Sequence, residues 1–202
     1  KVYVETCPHY LTLDESGYYE KDFQKASGYI CAPPLRTKED QQALWKGLYN
    51  GAIQTVSTDH CSFTLEQKEA GKDDFTKIPG GLPGVETRGV LLYTFGVAAG
   101  KITKEKMAEV LSENPAKLYG AWPRKGAILA GSDADLVVYD PEADTVLRGE
   151  ELISAAKYTP YEGVQTCGSI TQVYLRGQLA VDHGEVKVGP VGKFIARKTG
   201  VL

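Results

Sequence analysis

The chain has 202 residues, a formal net charge of −3 and 42% hydrophobic residues, enough for one core and at most two. The mild acidity, with no basic stripe interleaved with aromatics, argues against a nucleic-acid binder. No apolar run is long enough to span a bilayer.

Val2 to Glu5 alternates like a strand straight after Lys1, without an initiator Met, so the sequence reads as a piece cut from a longer protein. Thr6 to Leu11 reads as a loop fixed by Pro8. His9 has the chemistry of a metal ligand, though a hydrogen-bonded structural histidine is the plainer reading. Asp14 to Ser27 shows no period and is expected to be a long loop. In Tyr29 to Arg36, Pro33-Pro34 forces extended backbone. The peptide groups at Cys31 and Ala32 are then rigid and open to a ligand, or the segment is only a linker.

Thr37 is placed to cap a helix, with Asp40 at the capping-box position. Leu44, Trp45 and Leu48 form its apolar stripe, and Asn50-Gly51 ends it in a left-handed cap. Ile53 to Val56 then reads as a short buried strand that stops abruptly at Asp59. A carboxylate at a strand's C-terminal mouth is where α/β barrels place their chemistry. Buried there it needs a metal ion, a basic side chain or a helix N-terminus as partner.

A polar run follows through Glu66 and Asp74 to Lys77-Ile78-Pro79-Gly80-Gly81-Leu82-Pro83-Gly84. Its glycines let backbone approach a ligand, but the spacing is not that of a phosphate loop. A flexible loop is the alternative. Val85 to Ala99 is an expected helix, Thr103 caps another, and Asn114-Pro115 reads as N-cap and N1 of a short helix ending at Gly120.

After Pro123 the style changes to turn and strand. Leu136 to Asp140 follows a turn. Ile170–Leu175, Gly177–Val181 and Glu185–Val188 read as short strands, with one helical piece over Glu150–Lys157. Asp133 and Asp135 lack calcium-loop spacing and read as turn residues. Cys7, Cys31, Cys61 and Cys167 form no C-x-x-C pair, which suggests reduced, mostly buried thiols in a cytoplasmic protein. The order strand, helix, strand predicts α/β with parallel strands over 1–123, and a β portion with a tail over 124–202.

Glu5-Thr6-Cys7-Pro8-His9-Tyr10-Leu11, Pro33-Pro34-Leu35-Arg36, Thr58-Asp59-His60 and Gly131-Ser132-Asp133-Ala134-Asp135-Leu136 together resemble the cyclic amidohydrolases. The tract Asp59-His60-Cys61-Ser62-Phe63, with Gln67-Lys68, Gly71 to Phe75 and Lys77-Ile78-Pro79, is similar to hydantoinase and dihydropyrimidinase in particular. The resemblance covers essentially the whole chain. It implies the C-terminal part of a metal-dependent (β/α)₈ barrel, holding its last two strands, plus a β-sandwich.

It also implies two divalent metal ions, usually zinc, bridged by a carboxylated lysine. Asp59 would ligate one of them and carry protons. The ligand histidines and the bridging lysine would lie upstream, and His9, His60 and His183 do not match ligand positions. Main-chain groups at Ala32 and Gly80 would bind a cyclic amide substrate. Many relatives carry Ser and Asn there, which leaves ring preference open. The family further implies a homotetramer. The fragment alone is expected to be inactive. The competing readings are a non-enzymatic dihydropyrimidinase-like scaffold, disfavoured by Asp59, and an allantoinase or dihydroorotase type, disfavoured by Cys61-Ser62-Phe63.

Overall fold

The structure, a computed structural model, describes residues 1–202. Two very short strands anchor the first part. β1 (Glu5–Thr6) pairs in parallel with β2 (Thr55–Val56), Glu5 opposite Thr55 and Thr6 opposite Val56. The ladder reaches one residue further each way, with Gln54 N donating to Val4 O and Ser57 N to Thr6 O, both at 2.9 Å. The strand expected over Val2–Glu5 is therefore shifted. Val2 and Tyr3 have no ladder partner, and Val2 is 88% exposed.

Parallel strands need a long crossover, and helices fill this one. The expected loop after β1 is instead α1 (Pro8–Thr12), with Pro8 in its first turn, where its missing N–H costs nothing. The expected long loop is a 3₁₀ turn (Glu15–Tyr19) and α2 (Phe23–Ser27). Each has an aspartate cap. Asp14 accepts from Ser16 N at 2.9 Å, and Asp22 accepts from Gln24 N at 2.8 Å. α3 (Lys38–Tyr49) carries the expected capping box, with Thr37 Oγ1 accepting from Asp40 N at 3.3 Å and Asp40 Oδ2 from Thr37 N at 3.1 Å. Trp45 Nε1 donates to Leu11 O at 2.8 Å and so docks α3 on α1. Gly51 takes the left-handed φ that closes the helix.

The polar run after Asp59 is not plain loop. α4 (Leu65–Lys68) starts in a second capping box, Thr64 with Gln67. α5 (Arg88–Leu92) runs into a π-turn over Tyr93–Ala98, where one helix over Val85–Ala99 was expected. Thr103 caps α6 (Lys104–Ala108) as expected, accepting from Lys106 N at 3.1 Å. A π-turn over Glu109–Glu113 leads into α7 (Asn114–Leu118). Asn114 is therefore not an N-cap starting a new helix, because its backbone is helical. Its side chain donates to Gln54 O at 2.9 Å, and the π-turn before Pro115 accommodates a residue with no N–H to give. Leu11, Trp45, Leu48, Val56, Leu92 and Val110 meet in one buried core beneath the strands.

The second part is a four-stranded antiparallel sheet in the order β3 (Leu136–Asp140), β6 (Ser169–Leu175), β7 (Gln178–Asp182), β8 (Glu185–Val186). A separate ribbon pairs β4 (Thr145–Val146) with β5 (Gln165–Thr166). The hairpin turns at Arg176-Gly177 and His183-Gly184 take positive φ throughout, the two-residue geometry that matches strand twist. His183 is thus a turn residue.

The helical piece expected over Glu150–Lys157 is only a 3₁₀ turn at Gly149–Glu151. The amides of Ile153 and Ser154 go to the Glu86 carboxylate, at 3.0 and 2.8 Å, and not to helical carbonyls. Asp133 and Asp135 act as the turn reading expects. Lys125 bridges both, and Arg124 Nε meets Asp133 at 2.9 Å. The tail returns to the helices, Lys198 N donating to Gly120 O and Val201 N to Lys117 O, each at 2.9 Å. Gly120, at φ 71°, has no room for a side chain there, since a Cβ would fall 1.7 Å from Lys198 O. Tyr161 ties the parts together. It packs with Val90 and Leu91, and its hydroxyl lies 2.9 Å from Thr12 Oγ1. No helix is long and apolar enough to cross a membrane.

Candidate active site

Because β1 and β2 run parallel, the residues that follow them emerge at one mouth. Cys7 Sγ and Ser57 Oγ lie 3.3 Å apart across that mouth. Thr58-Asp59 leaves β2, and Asp59 sits at φ 43°, a left-handed conformation unusual outside glycine. Its carboxylate is exposed and enters none of the chain's ion pairs. His60 is spent on structure. Its Nδ1 accepts from Gly84 N at 3.0 Å and from Val85 N at 3.3 Å, and its backbone bridges to Leu82. That fastens the glycine-rich segment beside the strand end.

His9 lies on α1 behind the mouth, 5% exposed, with its ring tilted against Tyr10 at 4.1 Å between centroids. Burial pushes its pKa down to about 4, against the pull of the Asp59 charge, so the imidazole is neutral near pH 7. Its Nε2 is buried without a hydrogen-bond partner. The ring lines a cavity of about 10 Å³ with Thr58, Thr87 and Tyr161, room for a single water. The structural role expected of His9 therefore comes without the expected hydrogen bond at Nε2.

Ala32 and Gly80, distant in sequence, are neighbours here. A Cβ built on Gly80 would meet Ala32 N at 3.7 Å. Both residues are exposed, and Gly81 N donates to Ile30 O at 3.0 Å to hold the two segments together. The outer flank of the first segment is tied by Tyr10 Oη to Pro33 O at 3.1 Å and by Leu35 N to Tyr18 Oη at 2.6 Å. Between the segments lies Lys68 of α4, completely buried, donating to Ile30 O at 3.2 Å and Pro79 O at 3.0 Å. Sequence reading missed Lys68. The Thr64-x-x-Gln67 box signals its helix, but lysine is almost never fully buried and nothing local marks this one.

All four cysteines are free, Cys7 and Cys31 buried and Cys61 and Cys167 exposed, so half of the thiols depart from the buried expectation. Burial raises the Cys7 and Cys31 pKa values above the ordinary thiol range, which leaves both as inert thiols at neutral pH.

As a metal site the mouth is partial. The unpaired Asp59 carboxylate fits one ligand position, and no three His, Cys, Asp or Glu side chains converge to complete a set. A single free carboxylate can supply one ligand and does not by itself make a metal site.

The amidohydrolase family model matches residues 9–180. D-phenylhydantoinase of Escherichia coli O139:H28 (strain E24377A / ETEC) is 43% identical over 200 residues, which cover 98% of this chain and 42% of that protein. The solved structure of D-hydantoinase from Bacillus sp. AR9 superposes with a TM-score of 0.95 at 42% identity, covering 100% of this chain and 44% of that one. Dihydropyrimidinase from Brevibacillus agri NCHU1002 gives a TM-score of 0.95 at 41% identity, again over 100% of this chain and 44% of the other. The chain therefore spans less than half the length of these relatives, and the likeness places its architecture with the (β/α)₈ barrel enzymes. Matched by its model from the first helix to the third strand of the sheet, the chain belongs to the amidohydrolase family.

Proposed function

We propose that this chain is the C-terminal portion of a hydantoinase or dihydropyrimidinase, which opens a cyclic amide ring to an N-carbamoyl amino acid. The observation that carries the reading is Asp59, an unpartnered carboxylate at the mouth of two parallel strands, in a chain 43% identical to a D-phenylhydantoinase.

Asp59 is assigned two tasks: one ligand to a divalent metal ion, and proton transfer. Two such ions, zinc by family resemblance, acidify water and polarise the ring carbonyl when bound. Asp59 takes the proton from the attacking water as the new C–O bond forms. It returns that proton to the ring nitrogen as the amide C–N bond breaks, so the ring gains one water overall. The main-chain groups of Ala32 and Gly80 hold the ring's amide edge. Their adjacency supports this, and so does the absence of side chains beyond Cβ, which leaves the backbone accessible. The remaining ligands and the bridging carboxylated lysine are assigned to a portion outside this chain, and the chain alone is expected to be inactive.

Residues 1–123 are assigned to the C-terminal part of the barrel and 124–202 to a β-sandwich portion with a C-terminal tail. The half-exposed faces of the four-stranded sheet support a second layer supplied from elsewhere. Homo-oligomerisation follows the family, and four free thiols support a reducing, cytoplasmic compartment. The test is to assay the complete polypeptide that carries this chain on hydantoin and dihydrouracil, with metal analysis. Ring opening with bound divalent metal is expected, and a purified, metal-loaded protein that opens neither ring would refute the reading.

A further inference from the structure

The largest completely buried side chain in the molecule is a lysine. Lys68 has no carboxylate beside it, and its ammonium is satisfied only by the carbonyls of Ile30 and Pro79. Burying a cation without a counter-ion is costly, and the cost shows in its pKa, pushed down to about 8 by burial. An apolar side chain of the same length would avoid that cost, so stability gives no reason for a lysine here. The two acceptors supply a reason. Pro79 immediately precedes Gly80, and Ile30 stands two residues before Ala32.

Neither segment lies within a helix or a strand, and the second is fastened at its far end, from Leu82 onward, by His60 and Cys61. Ile30 O takes a second bond from Gly81 N at 3.0 Å, so one carbonyl joins Lys68 to both segments. α4 is itself held in place. Its capping box sets its start, and the turn after it packs Gly71 against Ile78, where no side chain would fit.

We propose that Lys68 is a positioning residue for substrate: it clamps the Ile30–Ala32 and Pro79–Gly81 segments in the register that presents both main-chain edges to the ring. The inference rests on the reading of Ala32 and Gly80 as the ring-binding positions. Removing the ammonium leaves Pro79 O without a donor and leaves the register of the two segments resting on the Gly81 N to Ile30 O bond. Because these edges bind substrate and transition state alike, the loss falls mainly on KM.

The test compares wild type, Lys68→Met and Lys68→Arg in the complete, metal-loaded protein, reading steady-state kinetics and amide hydrogen exchange at Gly81. Lys68→Met is expected to raise KM about tenfold or more, since ångström-scale misplacement of bound groups costs up to about a hundredfold. Exchange at Gly81 should quicken in parallel. Lys68→Arg, which keeps a cationic donor on a bulkier head, should recover part of both. A purely structural lysine would lower the yield of folded enzyme and the apparent kcat but leave KM alone. If Lys68→Met does not fold, Lys68→Gln takes its place with the same expectation.

An active wild type whose Met or Gln variant keeps its KM and its Gly81 protection overturns the inference alone. A wild type that opens no cyclic amide overturns the functional reading and the inference with it.

Discussion

The two halves of the molecule invert the usual relation between regular structure and burial. In the first part, β1 and β2 are two residues each, yet Thr6, Thr55 and Val56 are buried and the helices converge on them. In the sheet part, β6 runs for seven residues and pairs on both sides, yet no residue of the four strands is buried. Order in the first comes from side-chain packing, and in the second from backbone ladders and tight turns. The exposed candidate site sits at the edge of the packed part, where Asp59 leaves a strand end gripped by the core.

The sharpest way to break that contrast is a cavity in the first core. Leu48 is completely buried on α3, and Leu48→Ala is expected to destabilise the protein by about 3 kcal/mol, read by urea unfolding. A loss under about 1 kcal/mol would mean the core is loose and the contrast false.

Acid probes the same core through His9. Its folded pKa of about 4 lies below the ordinary 6.5, so the unfolded chain binds the extra proton between those values. The stability from burying neutral His9 is therefore fully present above pH 6.5 and is lost as pH falls through about 4. The whole effect is on the order of 3 kcal/mol. His9→Gln should flatten that part of the stability profile, and an unchanged slope between pH 6.5 and 4 in the variant would show that His9 is not its source.

The sheet should respond least. Val137 on β3 is 59% exposed, and Val137→Thr is expected to shift stability by no more than about 0.5 kcal/mol. A cost above about 1.5 kcal/mol would show that a covering layer buries this face, and would sharpen the proposed sandwich.

What the sequence revealed follows the same divide between local and long-range causes. The capping box at Thr37 and Asp40, the cap at Thr103 and the glycine hairpins were legible because each is a few-residue signal with one physical outcome. The parallel pairing was legible from the long crossover, and Asp59 from the apolar run that stops at it. Helices of four or five residues, such as α1, α2 and α4, are too short to show a period, so Pro8 and the capping residues Asp14, Asp22 and Thr64 passed as loop. Lys68 was invisible because its burial depends on two carbonyls contributed by distant segments. The π-turns before Pro115 and after α5 depend on packing that no window of sequence contains.

Substituting Asp59 tests the central claim most directly. In the complete, metal-loaded polypeptide, Asp59→Ala is expected to lower kcat for ring opening about 10³-fold or more, the scale of a lost acid–base group, with secondary structure unchanged by circular dichroism. Turnover within a few-fold of wild type, in a variant shown to be folded, would contradict it.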